Sequence, residues 1–405
     1  MIGFIIAYFV TRDSCPPPPS TPMATRARRS LLNTLFLVGT LVLALILVPL
    51  KLALQGLNWS EAGMLVLMYV LIGMSVTIGY HRLFSHRAFQ AAWPLRLAVL
   101  LLGAAAFENS ALWWCSDHRH HHRFADDPRE DPYAISKGFW HAHWLWVMEG
   151  EVRPLAGVGD LQRDPLVRWQ HRYHFWIGAA VALAPVYVGL ATGNVWGQAV
   201  MGVLLRIVLT HHSTFLINSA AHFFGSQPYS DANSARDNGL LAPLTFGEGY
   251  HNFHHMWQWD YRNAPNWYQW DPGKWLINVF AWVGLARGLR RVSRTEIRRA
   301  RVAMEAKRLA ALLRSAKPGL AAGLREGLAA AKARIEGALD AFQAHLEAWD
   351  TLKAQWETRG LEKEETCRAA RVRWKAEQTR LRKESRAAWA AWKFTRARFA
   401  ERTQS

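Results

Sequence analysis

Four histidines stand within five residues at His118–His122, inside the stretch WWCSDHRHHHRFADDPREDPY that runs from Trp113 to Tyr133. On a helix, His118, His121 and His122 fall at i, i+3 and i+4 and share one face, while Arg119 and His120 point elsewhere. Such a face can hold a metal. The spacing recurs at His251, His254 and His255 in GEGYHNFHH, and His81 and His86 close an apolar segment in GYHRLFSH. Sixteen of the 17 histidines lie between His81 and His255, a concentration that implies a metal centre assembled from several segments.

Cys15, Cys115 and Cys367 are scattered and form no CxxC, which argues against both a disulfide framework and a thiolate zinc site. Imidazole, carboxylate and water remain as ligands, a set that suits iron and related ions. Two HxxHH faces, the HxxxxH pair and His222 make nine imidazoles, too many for one tetrahedral zinc and right for two metals that share them. Ligating histidines need an acceptor at the second ring nitrogen, and Asp117, Asp126, Asp127, Asp131 and Glu248 are the nearby candidates. His211 and His212, taken alone, read as satisfied core residues. His120, His141, His143, His171 and His174 read as structural, supporting or exposed, and His345 as a solvated helix residue.

The segments that must carry these residues are apolar. Arg26, Arg28 and Arg29 precede Leu31–Leu50, twenty residues without a charge, enough to cross a bilayer. Further spans are expected at 62–80, 175–191 and 195–217, the last interrupted by Arg206, His211 and His212, ionisable groups that at such depth face the protein interior. Leu97–Phe107 is only eleven residues long and is expected to be an interfacial helix. With the basic flank inside, four crossings place both termini and all the histidine boxes on the cytoplasmic side of a multi-pass membrane protein. Residues 1–30 read as a flexible lead, with Met23 as an alternative start.

Of the formal charge of +18, +15 belongs to the C-terminal tail, since residues 286–405 hold 29 Lys/Arg against 14 Asp/Glu. A nucleic-acid partner is therefore not expected, and the natural counterpart is the anionic lipid surface beside the spans. Pro318 and Gly360 divide the tail into helical pieces. Ile335, Leu339, Phe342, Leu346, Trp349 and Trp356 fall on alternating four- and three-residue spacings, with Lys353 breaking the series, and Trp374, Leu381, Ala388, Trp392 and Phe399 nearly keep step. A coiled-coil-like helical hairpin is expected, closing on itself or on a second copy. The expected division is 1–30, a membrane domain over 31–290, and the tail over 291–405.

GYHRLFSHRAF, DHRHHHRFADDPREDPY followed by GFWHAH, INSAAHFFG, and GEGYHNFHH together resemble, in order, the boxes of membrane-bound fatty acid desaturases. The likeness is greatest to the acyl-CoA Δ9 (stearoyl-CoA desaturase-like) branch and its bacterial members, and it covers roughly residues 30 to 290. It implies an all-α membrane protein, four transmembrane helices under a cytosolic helical cap that holds two irons. It assigns as ligands His81, His86, His118, His121, His122, His222, His251, His254 and His255, with Asn218 holding a metal-bound water and Asp117 near the substrate. The implied reaction removes two hydrogens from adjacent methylenes of a fatty acyl chain, using O2 and two electrons from an external donor such as a ferredoxin or cytochrome b5.

Two positions depart from that pattern. Ser116 replaces an arginine that in animal acyl-CoA desaturases helps to hold the coenzyme A head group, so an acyl-lipid or carrier-protein substrate stays open and Ser116→Arg is expected to be neutral or better for acyl-CoA. Met256 and Trp257 replace a phenylalanine-proline pair. The tail has no HPGG of a fused cytochrome b5. A membrane di-iron hydroxylase would carry the same boxes, and a histidine-rich metal transporter or a scaffold working through its tail are rivals of another class. A transporter requires ionisable residues along a path between spans.

Overall fold

In a computed structural model of the protein, residues 30–150, 153–315, 318–359 and 365–404 are described. The expected lead lies outside them, apart from Ser30. Among the described residues, four helices are long and apolar enough to cross a membrane: α1 (Leu31–Gln55), α2 (Trp59–Ser85), α5 (Pro165–Thr192) and α6 (Val195–Phe223). Between α2 and α5 lie α3 (Trp93–Ala104) and α4 (Ala111–Phe124), and after α6 come α7 (His251–Met256) and α8 (Pro272–Trp282). The chain is a mostly helical integral membrane protein. A two-residue antiparallel ladder pairs β1 (Gln90–Ala91) with β2 (Ala286–Arg287).

Each crossing helix overruns its expected limits, for local reasons. Ser30 caps α1 by accepting from Asn33 N–H at 3.2 Å, and the charge at Lys51 does not end the helix because it is buried against Glu61 and donates to Gly56 O at 2.8 Å. Asn58 caps α2 through Ser60 N–H, so that helix begins before the apolar run. Its far end, Val76–Ser85, winds as a π-helix that carries the first histidine box. Asp164 caps α5 with Pro165 at its first turn, adding two polar turns ahead of the apolar ones. The continuation of α6 past 217 takes in the NSAAH segment, with a break at Ser219.

Polar groups hold the spans together where hydropathy alone would leave them sliding. Arg206 donates to Ala105 O at 2.7 Å and His211 Nε2 donates to Ala106 O at 2.8 Å, satisfying carbonyls just past the C-terminal end of α3. Gln170 of α5 donates to the Tyr80 hydroxyl at 2.7 Å and accepts from Ala111 N–H at 3.1 Å, joining α2, α4 and α5. The core around them includes Ile72, Tyr80, Leu100 and Ile277, all fully buried. Outward-facing leucines and isoleucines of α1, among them Leu35, Leu45 and Ile46, are exposed as lipid contact requires.

Two compact units divide the chain, one of residues 1–227 and 231–291, the other of 228–230 and 292–405. The second contains α9 (Arg294–Ser315), α10 (Pro318–Arg359) and α11 (Glu365–Gln404), opened by a capping box in which Ser293 Oγ accepts from Glu296 N–H and the Glu296 carboxylate accepts from Ser293 N–H. To the α10–α11 pair α9 adds a third stripe that was not expected: Val302 and Leu309 pack with Leu328, Ile335, Leu339, Ala388 and Trp392. Glu305 accepts from Trp392 Nε1 and Arg396 on α11. His345 is not a solvated residue. It stacks on Trp374 and donates to that residue's carbonyl at 3.2 Å. The side chain of Phe399 lies outside the described residues.

Candidate metal centre

The nine histidines assigned to the site converge as two buried groups. His81, His86, His118, His122 and His254 form the first and His121, His222, His251 and His255 the second, with the ligand nitrogens of each group within 4.8 Å of one another. Neither HxxHH face lies within a single group, in keeping with the expected sharing. Each splits: His118 and His122 enter the first group and His121 the second, whereas His251 and His255 enter the second and His254 the first. The i and i+4 rings differ by about 40° around a helix and stay together, while the i+3 ring lies about 60° to the other side.

Spacing alone would not have joined His81 to His86. Five residues apart on an α-helix they would diverge by about 140°. The π winding closes an i to i+5 turn, with His86 N–H donating to His81 O at 3.1 Å, and brings the ring centroids to 4.8 Å. Cys115 supports this segment by donating its thiol to Tyr80 O at 3.2 Å, so the cysteine nearest the boxes is engaged away from them.

Remote side chains set the tautomers. His121 Nδ1–H donates to both oxygens of Asp131 at 2.9 Å, and His81 Nδ1–H faces Glu248 at 3.2 Å, which leaves lone pairs on both Nε2 atoms. His222 Nδ1–H donates to Ser234 Oγ at 2.7 Å, and Ser234 in turn donates to Asp126. The Tyr133 hydroxyl lies 3.4 Å from His118 Nδ1, and the Asn233 amide 3.4 Å from His255 Nδ1. Of the expected acceptors, Asp131, Glu248 and Asp126 take part. Asp127 does not: it sits at an exposed turn and accepts from the N–H groups of Arg129 and Glu130.

The inward nitrogens face one another without protons enough to share. His254 Nε2 lies 3.0 Å from His81 Nε2 and 2.9 Å from His122 Nε2, and His255 Nε2 lies 3.3 Å from His121 Nε2 and 3.1 Å from His251 Nε2. His222 Nε2 is buried with no hydrogen-bond partner. A cation in each group would satisfy all of these lone pairs, so the residues fit a metal pair held by imidazole.

Asn218 ends the α-helical part of α6, four residues ahead of His222, and Asp117 is half-buried beside His118; neither belongs to the two groups. The remaining histidines stay outside them too. His143 is bonded to Ser219 and His212, His141 to Pro132 O, His171 to Ser110, and His120 faces Glu130. Sequence reasoning missed Tyr133, Asn233, Ser234 and the set around Glu248, which accepts from Thr77 at 2.7 Å, from Arg82 at 3.0 Å and from Asn263. Arg82, a charge inside an apolar segment, was the one legible signal.

Burial first, and neighbouring imidazoles second, hold His86, His118, His122, His251, His254 and His255 well below the ordinary histidine range. In the unfolded chain the same groups protonate near 6.5, so below that pH the unfolded state binds more protons and the stability of the metal-free protein falls as pH falls. Metal-free protein in detergent is thus expected to show a melting temperature that drops steadily from pH 7 to pH 5. A flat profile would contradict neutral buried imidazoles.

Ser116 is buried, and its Oγ accepts from Ala156 N–H at 2.9 Å. An arginine there cannot simply restore a head-group cation: it must displace the Ala156 segment, at a cost of about 1–3 kcal/mol for overpacking alone. Ser116→Arg is expected to lower the melting temperature and the activity with any head group, and unchanged stability would show that the segment yields.

A profile of the fatty acid desaturase family matches residues 57–271. The chain is 40% identical over 249 residues to acyl-CoA desaturase 1 of Saccharomyces cerevisiae, covering 60% of this chain and 49% of that protein. It is 34% identical to the sn-2 palmitoyl-lipid 9-desaturase of Nostoc sp., covering 57% and 81%, and 33% identical to human stearoyl-CoA desaturase 5, covering 58% and 74%. It spans about half the length of the fungal relatives it matches. A match over more than half of the chain, taking in all nine converging histidines, makes this protein a member of the fatty acid desaturase family.

Proposed function

We propose that the chain is an acyl-CoA desaturase of the Δ9 branch, bacterial in type, which forms a cis double bond in a saturated fatty acyl chain with O2 and two electrons from an external ferredoxin, cytochrome b5 or similar donor. The observation that carries this reading is the sharing of both HxxHH boxes between two adjacent imidazole groups in a membrane protein of this family. The nine histidines are proposed as ligands of two irons, with Asn218 holding a metal-bound water. When bound, iron supplies the activated oxygen that an unactivated methylene requires, since such a C–H bond offers no acidity to a base.

The chain's own residues then hold and aim. Asp131, Glu248 and Ser234 keep His121, His81 and His222 in the ligating tautomer, and Trp114, stacked on His118 with centroids 4.7 Å apart, blocks that ring's face. The names of the relatives cover both acyl-CoA and acyl-lipid substrates. We favour acyl-CoA because the relatives of highest identity carry that name, and keep Asp117 as a substrate contact. We place both termini and the histidine groups on the cytoplasmic side, because four crossings leave them on one side and the basic flank Arg26, Arg28 and Arg29 favours the inside. The domain limits proposed are 31–290 for the membrane part and 291–405 for the tail, whose seam offers a surface for self-association.

Gathering of the histidines in two buried groups, rather than along a path between spans, speaks against a transporter. The test is expression in a host that lacks Δ9 desaturation, followed by fatty-acid analysis. New Δ9-unsaturated chains are expected. A hydroxylated chain instead would establish the hydroxylase alternative, and an unchanged profile from membrane-inserted, iron-loaded protein with a reductant supplied would refute the assignment.

A further inference from the structure

Aromatic residues crowd the loop before α8 and the helix itself, and they face outward. Trp267, Tyr268 and Trp270 of the loop are exposed, as are Trp275, Val279 and Trp282, which fall at i, i+4 and i+7 on one face of α8. Trp267 and Trp282 are 83% and 86% exposed, while Ile277 on the opposite face is fully buried. The surface is continuous: Trp275 Nε1 donates to Trp267 O at 3.3 Å, and its ring meets that of Trp270 edge-on at 5.5 Å. An outward apolar patch of this kind marks a surface that binds something apolar.

The spans fix the level at which α8 lies. Its first turn packs Gly273 against the Arg82 guanidinium of α2, two residues beyond Tyr80, whose hydroxyl accepts from Gln170 of α5. Just past its last turn Leu285 O accepts from Ala92 N–H at 2.9 Å, where α3 begins, and Arg96 of α3 pairs with Asp164, the cap of α5. α8 is thereby bracketed between the levels of Gln170 and Asp164, about 9 Å apart along α5. Just inside that zone Tyr173 and Trp176 are exposed and the charge-free part of α5 begins. The zone therefore matches the headgroup layer, about 5–8 Å thick on each side of the hydrocarbon. Arg287, Arg290 and Arg291 follow α8 and are all exposed, so cations border the tryptophan face as in helices that lie in a membrane interface.

We propose that the face running from Trp267 to Trp282 is an interfacial anchor, seated in the lipid headgroup layer on the side of the membrane that holds the histidine groups, with the three arginines against anionic lipid. It is a membrane contact additional to the four spans. The proposal needs those spans and not the metal reading, so the two can fail separately.

The test puts nitroxide labels on the full-length protein in lipid vesicles, at Val279→Cys and Trp282→Cys one at a time. Leu45→Cys on the lipid-facing side of α1 and Arg129→Cys at an exposed turn serve as references, and the wild type labelled in parallel gives the background from its own cysteines. Collisions with O2, which concentrates in hydrocarbon, are compared with collisions with a water-soluble nickel chelate. Both labels on α8 are expected to show an O2-to-chelate ratio between those of the two references. Adding phosphatidylglycerol to phosphatidylcholine vesicles should raise the ratio, and Arg287→Gln combined with Arg291→Gln should remove that rise. A ratio equal to that at Arg129 would overturn the proposal, because the face is then in water. So would a ratio equal to that at Leu45, which places the face in hydrocarbon, or low access to both reagents, the mark of a face covered by protein. A ratio indifferent to phosphatidylglycerol would overturn the role given to the arginines.

Discussion

Alanine at His118 or at His254 removes one and the same metal ion, and alanine at His121 or at His251 removes the other, although His118 and His121 share a helix and so do His251 and His254. This is the expected result of the crossed allocation, in which each short helix gives its i and i+4 rings to one group and its i+3 ring to the other. Product should fall to the detection limit in all four variants, since both groups serve one reaction. The protein should remain in the membrane fraction, because the four long apolar helices are untouched. The measurement is metal content of purified protein, for single variants and for pairs. His118→Ala with His254→Ala should lose no more metal than either alone, whereas His118→Ala with His121→Ala should lose both ions. Loss of one ion by the second pair and of both by the first would restore the simpler picture of one metal per box.

Glu248→Ala is expected to be among the most destabilising single changes in the membrane unit. Its carboxylate is 2% exposed and accepts from Thr77, Arg82 and Asn263 while facing His81 Nδ1. Burial by itself would raise its pKa, but the neighbouring His81 and Arg82 outweigh that and hold the group ionised, well below the usual carboxylate range. Removing it leaves the fully buried Arg82 with Asp271 at 2.8 Å and the Tyr261 carbonyl at 3.0 Å, and the loss of one carboxylate from such a buried network costs up to about 3–5 kcal/mol. His81 also loses the acceptor that fixes its tautomer, so metal affinity at the first group should fall 10- to 100-fold. Thermal unfolding and metal content, measured together, check both effects. Glu248→Gln should retain much of the stability through its remaining oxygen and lose metal affinity more than fold. A Glu248→Ala protein with wild-type melting and metal would mean that the network relaxes around the gap.

A cut near Val302, placed where the basic tail looks separable, falls inside α9, where Val302 is fully buried.

Much of the chemistry was legible along the chain. Nine imidazoles in four segments, apolar runs long enough for four crossings, and a tail holding most of the charge are all sums over neighbouring residues, and local hydropathy and spacing need no partner from elsewhere. The ends of the helices were not legible in the same way, because a charge such as Lys51 stops a membrane helix or continues it according to whether Glu61 is there to meet it. Nor was the division of the ligands. His81 and His86 meet only because the end of α2 winds as a π-helix, and His121 parts from His118 only because two other helices bring imidazoles to either side. The ring orientations depend on Asp131, Ser234 and Glu248, the last of them in a segment far along the chain from the His81 it faces, and Ser116 is buried and clasps the Ala156 backbone. Composition and spacing decide which groups are available to a site. Which atom faces which metal depends on distances between segments far apart in the chain, and those exist only once the helices have packed.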